Sequence, residues 1–288
     1  MKSANQFARF AFTALCLLAF ASASFAAKSN PLNEPNGLAV DASGNLYVAN
    51  TGTNSILVFD SKYKQVTTAT ITAGVDHPTA VAVDPEGNVW VANYIQGAGS
   101  ITEYTAGKQD TAATITEGVT SPLALAVDGL GNVWIQNAGT YVDVYAQPAA
   151  YGGTPSLVQT FNVDSPLHGI AVQENSVALA AESFGVGFAS VLSTISSGTF
   201  LGVTSTANNS GAALAGDGKG NFYSANFDGS VNIVFPQAGV EGVFAQLGFA
   251  PAGMAVDRVN NRIYFSYFQG NYILVYSTIT GQLLETIQ

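Results

Sequence analysis

Few side chains in this sequence could carry out chemistry. There are two histidines, His77 and His168, and a single cysteine, Cys16. Because a catalytic zinc ion takes three protein ligands, two histidines cannot supply a three-histidine zinc centre. Glu182 and Asp228 are the candidates for oxygen ligands, which hard cations such as calcium prefer. His168 beside such a cation could act as a general base, whereas a lone histidine is more often a hydrogen-bonded structural residue.

These residues are distributed over a chain that repeats one unit six times. The clearest copies read PNGLAVDASGNLYVAN from Pro35, PTAVAVDPEGNVWVAN from Pro78 and PLALAVDGLGNVWIQN from Pro122. Weaker copies lie around Leu167, Gly211 and Pro251. The residue that ends the first run of each copy recurs every 40 to 45 residues, at Asp41, Asp84, Asp128, Gln173, Asp217 and Asp257. A period of this length is typical of propellers and solenoids.

Each unit contains four short runs of alternating β-branched and aromatic residues, the pattern of strands. In the first unit these runs are 37–41, 45–50, 55–60 and 66–71. The sequence therefore predicts an all-β fold, a six-bladed β-propeller of four-stranded antiparallel blades. The expected organisation is a signal peptide at 1–26 and one domain at 27–288, with blades at about 35–77, 78–121, 122–166, 167–210, 211–250 and 251–288.

The repeated aspartates and aromatics have a structural and a functional interpretation. In Asp-x-x-Gly-Asn the glycine provides the positive φ of a tight hairpin and the aspartate can bond the turn. A turn role is therefore favoured over a ring of functional carboxylates. Tyr47, Trp90, Trp134 and Tyr223 share one repeat position. Packing between blades explains a repeated aromatic better than a ligand stack does.

Composition and the first residues limit the partners. Because 48% of the residues are apolar and only 10% are charged, the composition excludes a disordered chain. The net charge of −10 disfavours nucleic acid and anionic membranes as partners. Lys2, Arg9, the apolar run 10–20 and the small residues 21–27 predict a cleavable signal peptide. Because the run is too short to span a bilayer, an uncleaved anchor is the weaker alternative. We expect a secreted or periplasmic monomer whose only cysteine leaves with the signal.

The pattern P-x-G-[LIVA]-A-V-D-x-x-G-N-[LV]-[YW]-V-A-[ND] resembles the NHL repeat, and GNVWVAN also resembles the streptogramin lyase-like propellers. This resemblance implies a six-bladed propeller, often secreted in bacteria, whose relatives range from binding platforms to lyases and lactonases. The lyases imply paired histidines beside an acid, which this sequence lacks. Gluconolactonase-like propellers imply calcium held by a Glu with Asn and Asp from different blades, for which Asn36, Glu182 and Asp228 are the matching residues.

A site is expected where the loops that precede each first strand meet those that follow each second strand. The candidate ligand-binding residues there are Asn36, Thr79, Asn50, Asn93, Asn137, His168, Glu182, Asn226, Asp228 and Tyr267. The four repeated asparagines could instead close the following loop on its own backbone. Unit four departs most from the repeat, with Gln173 and a long loop at 182–190, through specialisation or drift. The sequence favours an exported, non-catalytic module with no cofactor that binds a polar ligand or a protein. The alternative is a calcium-dependent lactonase.

Overall fold

In a computed structural model, the chain forms six antiparallel β-sheets arranged as a ring. The structure describes residues 29–106, 111–146, 153, 155–162, 167–173, 176–181, 188–193, 200–201, 211–235 and 240–288. The predicted signal peptide lies outside these residues. Within the described ranges, no helix has the length and apolar character needed to cross a bilayer.

Each sheet, or blade, is built from strands that are consecutive in the chain. Blade 1 contains β1 (Pro35–Val40), β2 (Leu46–Asn50) and β3 (Ser55–Phe59). Blade 2 contains β4 (Pro78–Val83), β5 (Val89–Asn93), β6 (Ser100–Tyr104) and β7 (Thr111–Ile115). Blade 3 contains β8 (Pro122–Val127), β9 (Val133–Asn137), β10 (Tyr141–Ala146) and β11 (Ser156–Asn162). Blade 4 contains β12 (Leu167–Gln173), β13 (Ser176–Ala181), β14 (Phe188–Ser193) and β15 (Phe200–Leu201). Blade 5 contains β16 (Gly211–Gly216), β17 (Phe222–Asn226), β18 (Ser230–Phe235) and β19 (Val240–Gln246). Blade 6 contains β20 (Gly253–Asp257), β21 (Arg262–Tyr267), β22 (Tyr272–Ser277) and β23 (Leu283–Ile287).

The first strand of every blade faces the axis of the ring. Each of these inner strands lies beside the inner strand of the next blade, and β20 lies beside β1, so the ring is closed. Within each blade the strands pair antiparallel with their neighbours in the chain. The predicted all-β propeller is therefore confirmed. Five blades are complete four-stranded sheets, and blade 1 has three strands.

The expected fourth strand of blade 1, at 66–71, is replaced by a 3₁₀ turn at Thr67–Ala69. The backbone pairs with β3 only at the two ends of the segment, through the bridges Phe59 to Gln65 and Ile56 to Ile71. Between them, the N–H of Ala69 bonds to the carbonyl of Val66 instead of to a strand. A threonine-rich run has strand propensity, but an outer edge has no further neighbour to hold it extended.

Small residues on the inner strands allow the blades to approach one another. A Cβ added at Gly37 would lie 2.6 Å from the Cα of Ala80, and one added at Gly253 would lie 2.4 Å from the carbonyl oxygen of Asn36. Real Cβ atoms do not approach other atoms so closely, so these positions require glycine for steric reasons.

The ring closes without a strand shared between its two ends. Leu32 precedes the first strand and is 3% exposed, packed in a cluster that includes Tyr264 and Ile287 of blade 6. The side chain of Asn271 accepts from the N–H of Glu34 at 2.7 Å, and its carbonyl accepts from the side chain of Asn30 at 2.7 Å. The broken segment before Pro35 therefore closes the ring by packing and hydrogen bonds rather than by a β-ladder.

The aromatic residues of the second strands fill the spaces between blades. Trp90 and Trp134 are 0% and 1% exposed. Trp90 packs against Leu125 and Ile135 of the next blade. Trp134 packs against Ile170 of the following blade and stacks on Phe161 of its own, with ring centroids 5.6 Å apart. This burial agrees with the predicted role in packing between blades.

Candidate functional site

The repeated aspartates lie in the turns that follow the inner strands, at one end of the ring. The Oδ1 of Asp128 accepts from the N–H groups of Leu130 and Asn132, and its Oδ2 accepts from the amide of Asn132 and the indole Nε1 of Trp134. Asp41, Asp84, Asp217 and Asp257 likewise bond the backbone and an asparagine of their own turns. The aspartates are turn residues, and in blades 2 and 3 they also fix the buried tryptophans.

These turns surround the lower mouth of the central channel, a cavity of about 550 Å³. Its polar lining includes Asp41, Asp84, Asp128 and Arg258, and its apolar lining includes Val40, Val83, Val127, Val172 and Val256. The carboxylates of Asp41, Asp84 and Asp128 already accept three or four hydrogen bonds each, from their own turns and from the aromatic residue of the second strand. The hydrogen-bonding capacity of this mouth is therefore largely used by the fold itself.

The predicted site residues Asn50, Asn93 and Asn137 end the second strands at the upper side of the ring. They are 0%, 2% and 7% exposed. Each side-chain oxygen accepts an N–H from the loop before its own inner strand: that of Asn33 for Asn50, of Asp76 for Asn93 and of both Thr120 and Ser121 for Asn137.

The amide groups of these asparagines donate to the same loops. Their acceptors are the carbonyl oxygens of Pro31, Gly74 and Gly118. The loop that is bonded precedes the strand, whereas the sequence suggested the loop that follows it. Asn50 bonds the following loop as well, by donating to the hydroxyl of Thr53. The buried amide of Asn226 donates to the hydroxyl of Ser230. This geometry supports the structural interpretation of all four amides.

A recurring β-bulge shapes the start of the inner strands. In blade 2, Pro78 pairs with Asn93 and Ala80 pairs with Ala92, so Thr79 is the extra residue. The same shift makes Leu123, His168 and Ala212 the extra residues of blades 3, 4 and 5, and a corresponding shift in blade 1 falls between Pro35 and Leu38. Because a bulge re-aims side chains, it distinguishes these positions from the rest of the ladder. The sequence pointed to these positions at the start of the inner strands, but it did not predict that a β-bulge lies there.

The bulge residues of blades 1, 2, 3 and 5 meet at the upper mouth, which is a cavity of about 260 Å³. It is lined by Asn36, Thr79, Leu123, Ala212, Phe227, Ala250, Pro251 and Ala252. The structure thus brings together the predicted residues Asn36 and Thr79 from two blades. The hydroxyl of Thr79 donates to the carbonyl of Pro122 at 2.8 Å, which links blade 2 to blade 3. Among the residues that the structure describes, those that line this cavity carry no formal charge.

Aromatic residues from three loops of blades 5 and 6 adjoin this mouth. The ring of Phe249 lies 4.3 Å from that of Tyr267 and 5.8 Å from that of Tyr272, measured between centroids. The two tyrosine rings are 5.1 Å apart. Phe227 lines the cavity and is 46% exposed. Tyr267 was a predicted site residue, whereas Phe249 and Tyr272 were missed because they lie outside the repeated pattern.

The acids and histidines of the lactonase hypothesis are placed as follows. Glu182 lies outside the described residues, and His168 is in β12 with a side chain that is not described. The carboxylate of Asp228 accepts from the N–H and the hydroxyl of Ser230 at 2.9 and 2.7 Å, which caps its own turn. In the part of the chain that the structure describes, no three His, Cys, Asp or Glu residues cluster as metal ligands would. His77 is exposed and contacts the carboxylate of Asp76 at 2.6 Å, a surface contact.

One buried acid stands apart from both mouths. Glu103 is 3% exposed and pairs with Trp90 across strands β6 and β5. The corresponding residue opposite Trp134 in blade 3 is Val144. Burial, with the nearby Asp84 as a lesser cause, raises the pKa of the Glu103 carboxyl above its ordinary value. Burial also raises the pKa of Tyr104, Tyr145 and Tyr264 to about 12, so these phenols remain neutral.

Comparison with known proteins supports the fold and the repeat. A family model described as the NHL repeat matches residues 32–59, which cover all three strands of blade 1 and the buried Leu32. The comparison with curated proteins gave no match. A propeller built on this repeat is indicative of a binding or interaction module. The family model matches a segment of blade 1, and the closed ring of antiparallel blades shows that the chain is a β-propeller.

Proposed function

We propose that this chain is an exported binding module that holds a polar ligand or a protein at the upper mouth. The observation that carries the proposal is the convergence of bulge residues from different blades and of the exposed Phe227 on one cavity. In a propeller the strands form the scaffold, and the loops at a mouth are free to differ between blades. The repeated carboxylates and amides, in contrast, are committed to turns and loops of the scaffold.

The proposed export rests on the amino-terminal pattern. A basic start, an apolar run and small residues at 24 and 26 predict removal of the first 26 residues. The test is to express the full chain in a bacterial host, separate periplasm from cytoplasm and determine the amino-terminal residue by mass spectrometry. A chain beginning at Ala27 in the periplasm supports export, and an uncleaved cytoplasmic chain contradicts it.

Binding at the upper mouth can be tested by thermal shift of the purified protein. The probes are glucono-δ-lactone, short neutral oligosaccharides and a decaproline peptide, because a ligand of the folded state raises the melting temperature. The matched variant is Ala252→Trp, which fills the cavity with a bulky ring. We expect at least one probe to raise the melting temperature of the parent protein and to have no effect on the variant. A shift of equal size in both proteins would place binding elsewhere, and no shift with any probe would remove the support for this site.

We propose further that binding needs no metal. In the described parts of the chain, the carboxylate of Asp228 is bound to Ser230 and does not line the upper cavity. A thermal shift measured at millimolar calcium tests this proposal. An unchanged melting temperature is expected, and a rise of several degrees would favour the calcium-dependent lactonase instead.

A further inference from the structure

We infer that the ligand of the upper mouth is a neutral carbohydrate whose ring stacks on an aromatic platform formed by Phe227, Phe249, Tyr267 and Tyr272. This inference rests on the proposed function, since it names the class of ligand held at the same mouth. It is carried by the arrangement of the four rings, by the charge and size of the cavity, and by the polar groups beside it.

Three of the four rings of the platform form one aromatic cluster. Phe249, Tyr267 and Tyr272 contact one another with centroid distances of 4.3 to 5.8 Å. Phe227 lies on the neighbouring loop, which the hydrogen bond from the N–H of Leu247 to the carbonyl of Gly229, 2.8 Å long, joins to the loop of Phe249. A Cβ on Gly229 would lie 2.8 Å from the backbone of Phe249, so the loops are in close contact.

The platform is partly open to solvent. Phe227 is 46% exposed, and the other three rings are half-buried. Large aromatic side chains are normally covered in a folded protein, and exposed clusters of them mark binding sites. Flat aromatic surfaces stack with the C–H face of a pyranose as they stack with other flat or apolar groups.

The charge of the cavity selects a neutral ligand. In the part of the chain that the structure describes, the lining residues are apolar except for Asn36 and Thr79, neither of which is charged. An ionised ligand would lose its hydration here without gaining a counter-charge, which is unfavourable. Neutral carbohydrates meet this condition, and their hydroxyls match the amide of Asn36 and the phenol groups of Tyr267 and Tyr272.

The size of the cavity selects a single ring. Cavities for drug-sized ligands are usually about 300–1,000 Å³, and the upper mouth is about 260 Å³. One sugar ring suits this space, with further units lying over the platform. A proline-rich peptide also binds aromatic surfaces, but it uses an extended groove rather than a compact mouth.

Calorimetric titration of the purified protein tests the inference. The probes are cellohexaose, maltohexaose, xylohexaose and chitohexaose, with decaproline and glucono-δ-lactone as probes of other classes. We expect at least one oligosaccharide to bind, and both Phe227→Ala and Tyr267→Ala to weaken its affinity at least 10-fold. Tyr141→Ala is the matched control, since Tyr141 is an aromatic residue 51% exposed on β10 and does not line the cavity. It should change the affinity by less than 2-fold.

The outcomes separate this inference from the proposed function. If decaproline or the lactone binds, no oligosaccharide does, and Ala252→Trp abolishes the binding, the mouth is a binding site but its ligand is not a carbohydrate. If no probe binds, both proposals are contradicted. If an oligosaccharide binds with equal affinity to both platform variants, stacking on the platform is wrong. Because Tyr267 packs against Tyr272, its variant could be destabilised. Phe227→Ala is at a more exposed position and should leave the fold intact, so a loss of affinity in this variant reports on binding alone.

Discussion

Replacing Gly253 by alanine tests how the ring closes. Gly253 begins β20, and its backbone lies against that of Asn36 and Gly37 in blade 1. A new Cβ would lie 2.4 Å from the carbonyl oxygen of Asn36 and 2.9 Å from the Cα of Gly37. Both contacts are with backbone atoms, so no side-chain rotation can relieve them. The two inner strands must separate by several tenths of an ångström or more.

The expected cost follows from two effects. Overpacking of a close contact costs about 1–3 kcal/mol. Separation of the strands also weakens the hydrogen bond from the Ser266 hydroxyl to the Asn36 carbonyl, now 2.7 Å long, and such a bond contributes about 0.5–1.5 kcal/mol. We expect a loss of about 2–4 kcal/mol in the free energy of unfolding, or roughly 4–16 °C in the melting temperature for a chain of this size.

The assay is urea unfolding followed by tryptophan fluorescence, since Trp90 and Trp134 are fully buried. Gly129→Ala is the matched control, because a Cβ there meets no atom within 4 Å and the φ angle of Gly129 is not positive. This control should be neutral or stabilised by up to about 1 kcal/mol, as glycine loses more chain entropy on folding than alanine. Equal stability of the two variants would refute the close approach of blades 6 and 1.

Three further changes test the scaffold. Asn93→Ala should lower the stability by about 2–4 kcal/mol in urea unfolding, because it removes the bonds to the N–H of Asp76 and to the carbonyl of Gly74. The control Gln96→Ala, at an exposed position, should change the stability by less than about 0.5 kcal/mol. Similar losses in the two variants would contradict the structural role of the Asn93 amide. Leu32→Ala should cost about 2–4 kcal/mol in the same assay, because it leaves a cavity between blades 1 and 6; an unchanged midpoint would show that this segment does not close the ring. The raised pKa of Glu103 means that its ionised form opposes folding, so the contribution of Glu103 to stability is greatest below the ordinary pKa of 4.5, falls as pH rises through the raised value and is then constant. Glu103→Val, which matches Val144 in blade 3, should reduce the loss of urea stability between pH 4 and pH 8, and an identical pH dependence in both proteins would show that Glu103 has no part in it.

The scaffold could be predicted from the sequence because it is repeated. Residues equivalent to Asp128 and Trp134 occur at the same repeat positions in other blades, and a repeated residue is explained by the structure of the blade rather than by one functional site. The sequence did not predict the 3.1 Å hydrogen bond between these two side chains, although their fixed spacing of six residues was visible in it. The missing strand after β3 was not predictable from propensity, since Thr67 and Thr68 favour strands and only the edge position decides their conformation.

The sequence predicted where the candidate residues lie in the ring, but it did not show which of their side chains are used by the fold itself. Asn36 and Thr79 line the upper cavity as expected, because their place in the repeat fixes their place in the ring. The amides of Asn50 and Asn93 were candidates for a polar rim, but they are buried in the loops that they hold. Phe249 could not be assigned to the site from the sequence, because its contacts depend on how the loops of blades 5 and 6 fold together.

The central claim is that ligands bind at the upper mouth and not at the lower one. Amide hydrogen exchange of the purified protein, measured by mass spectrometry with and without the tightest-binding oligosaccharide, tests it most directly. If ligands bind at the upper mouth, exchange slows in the loops at 226–229, 247–252 and 267–271 and does not change in the turns that follow Asp41, Asp84 and Asp128. Protection confined to those turns, or no protection at saturating oligosaccharide, would contradict the account.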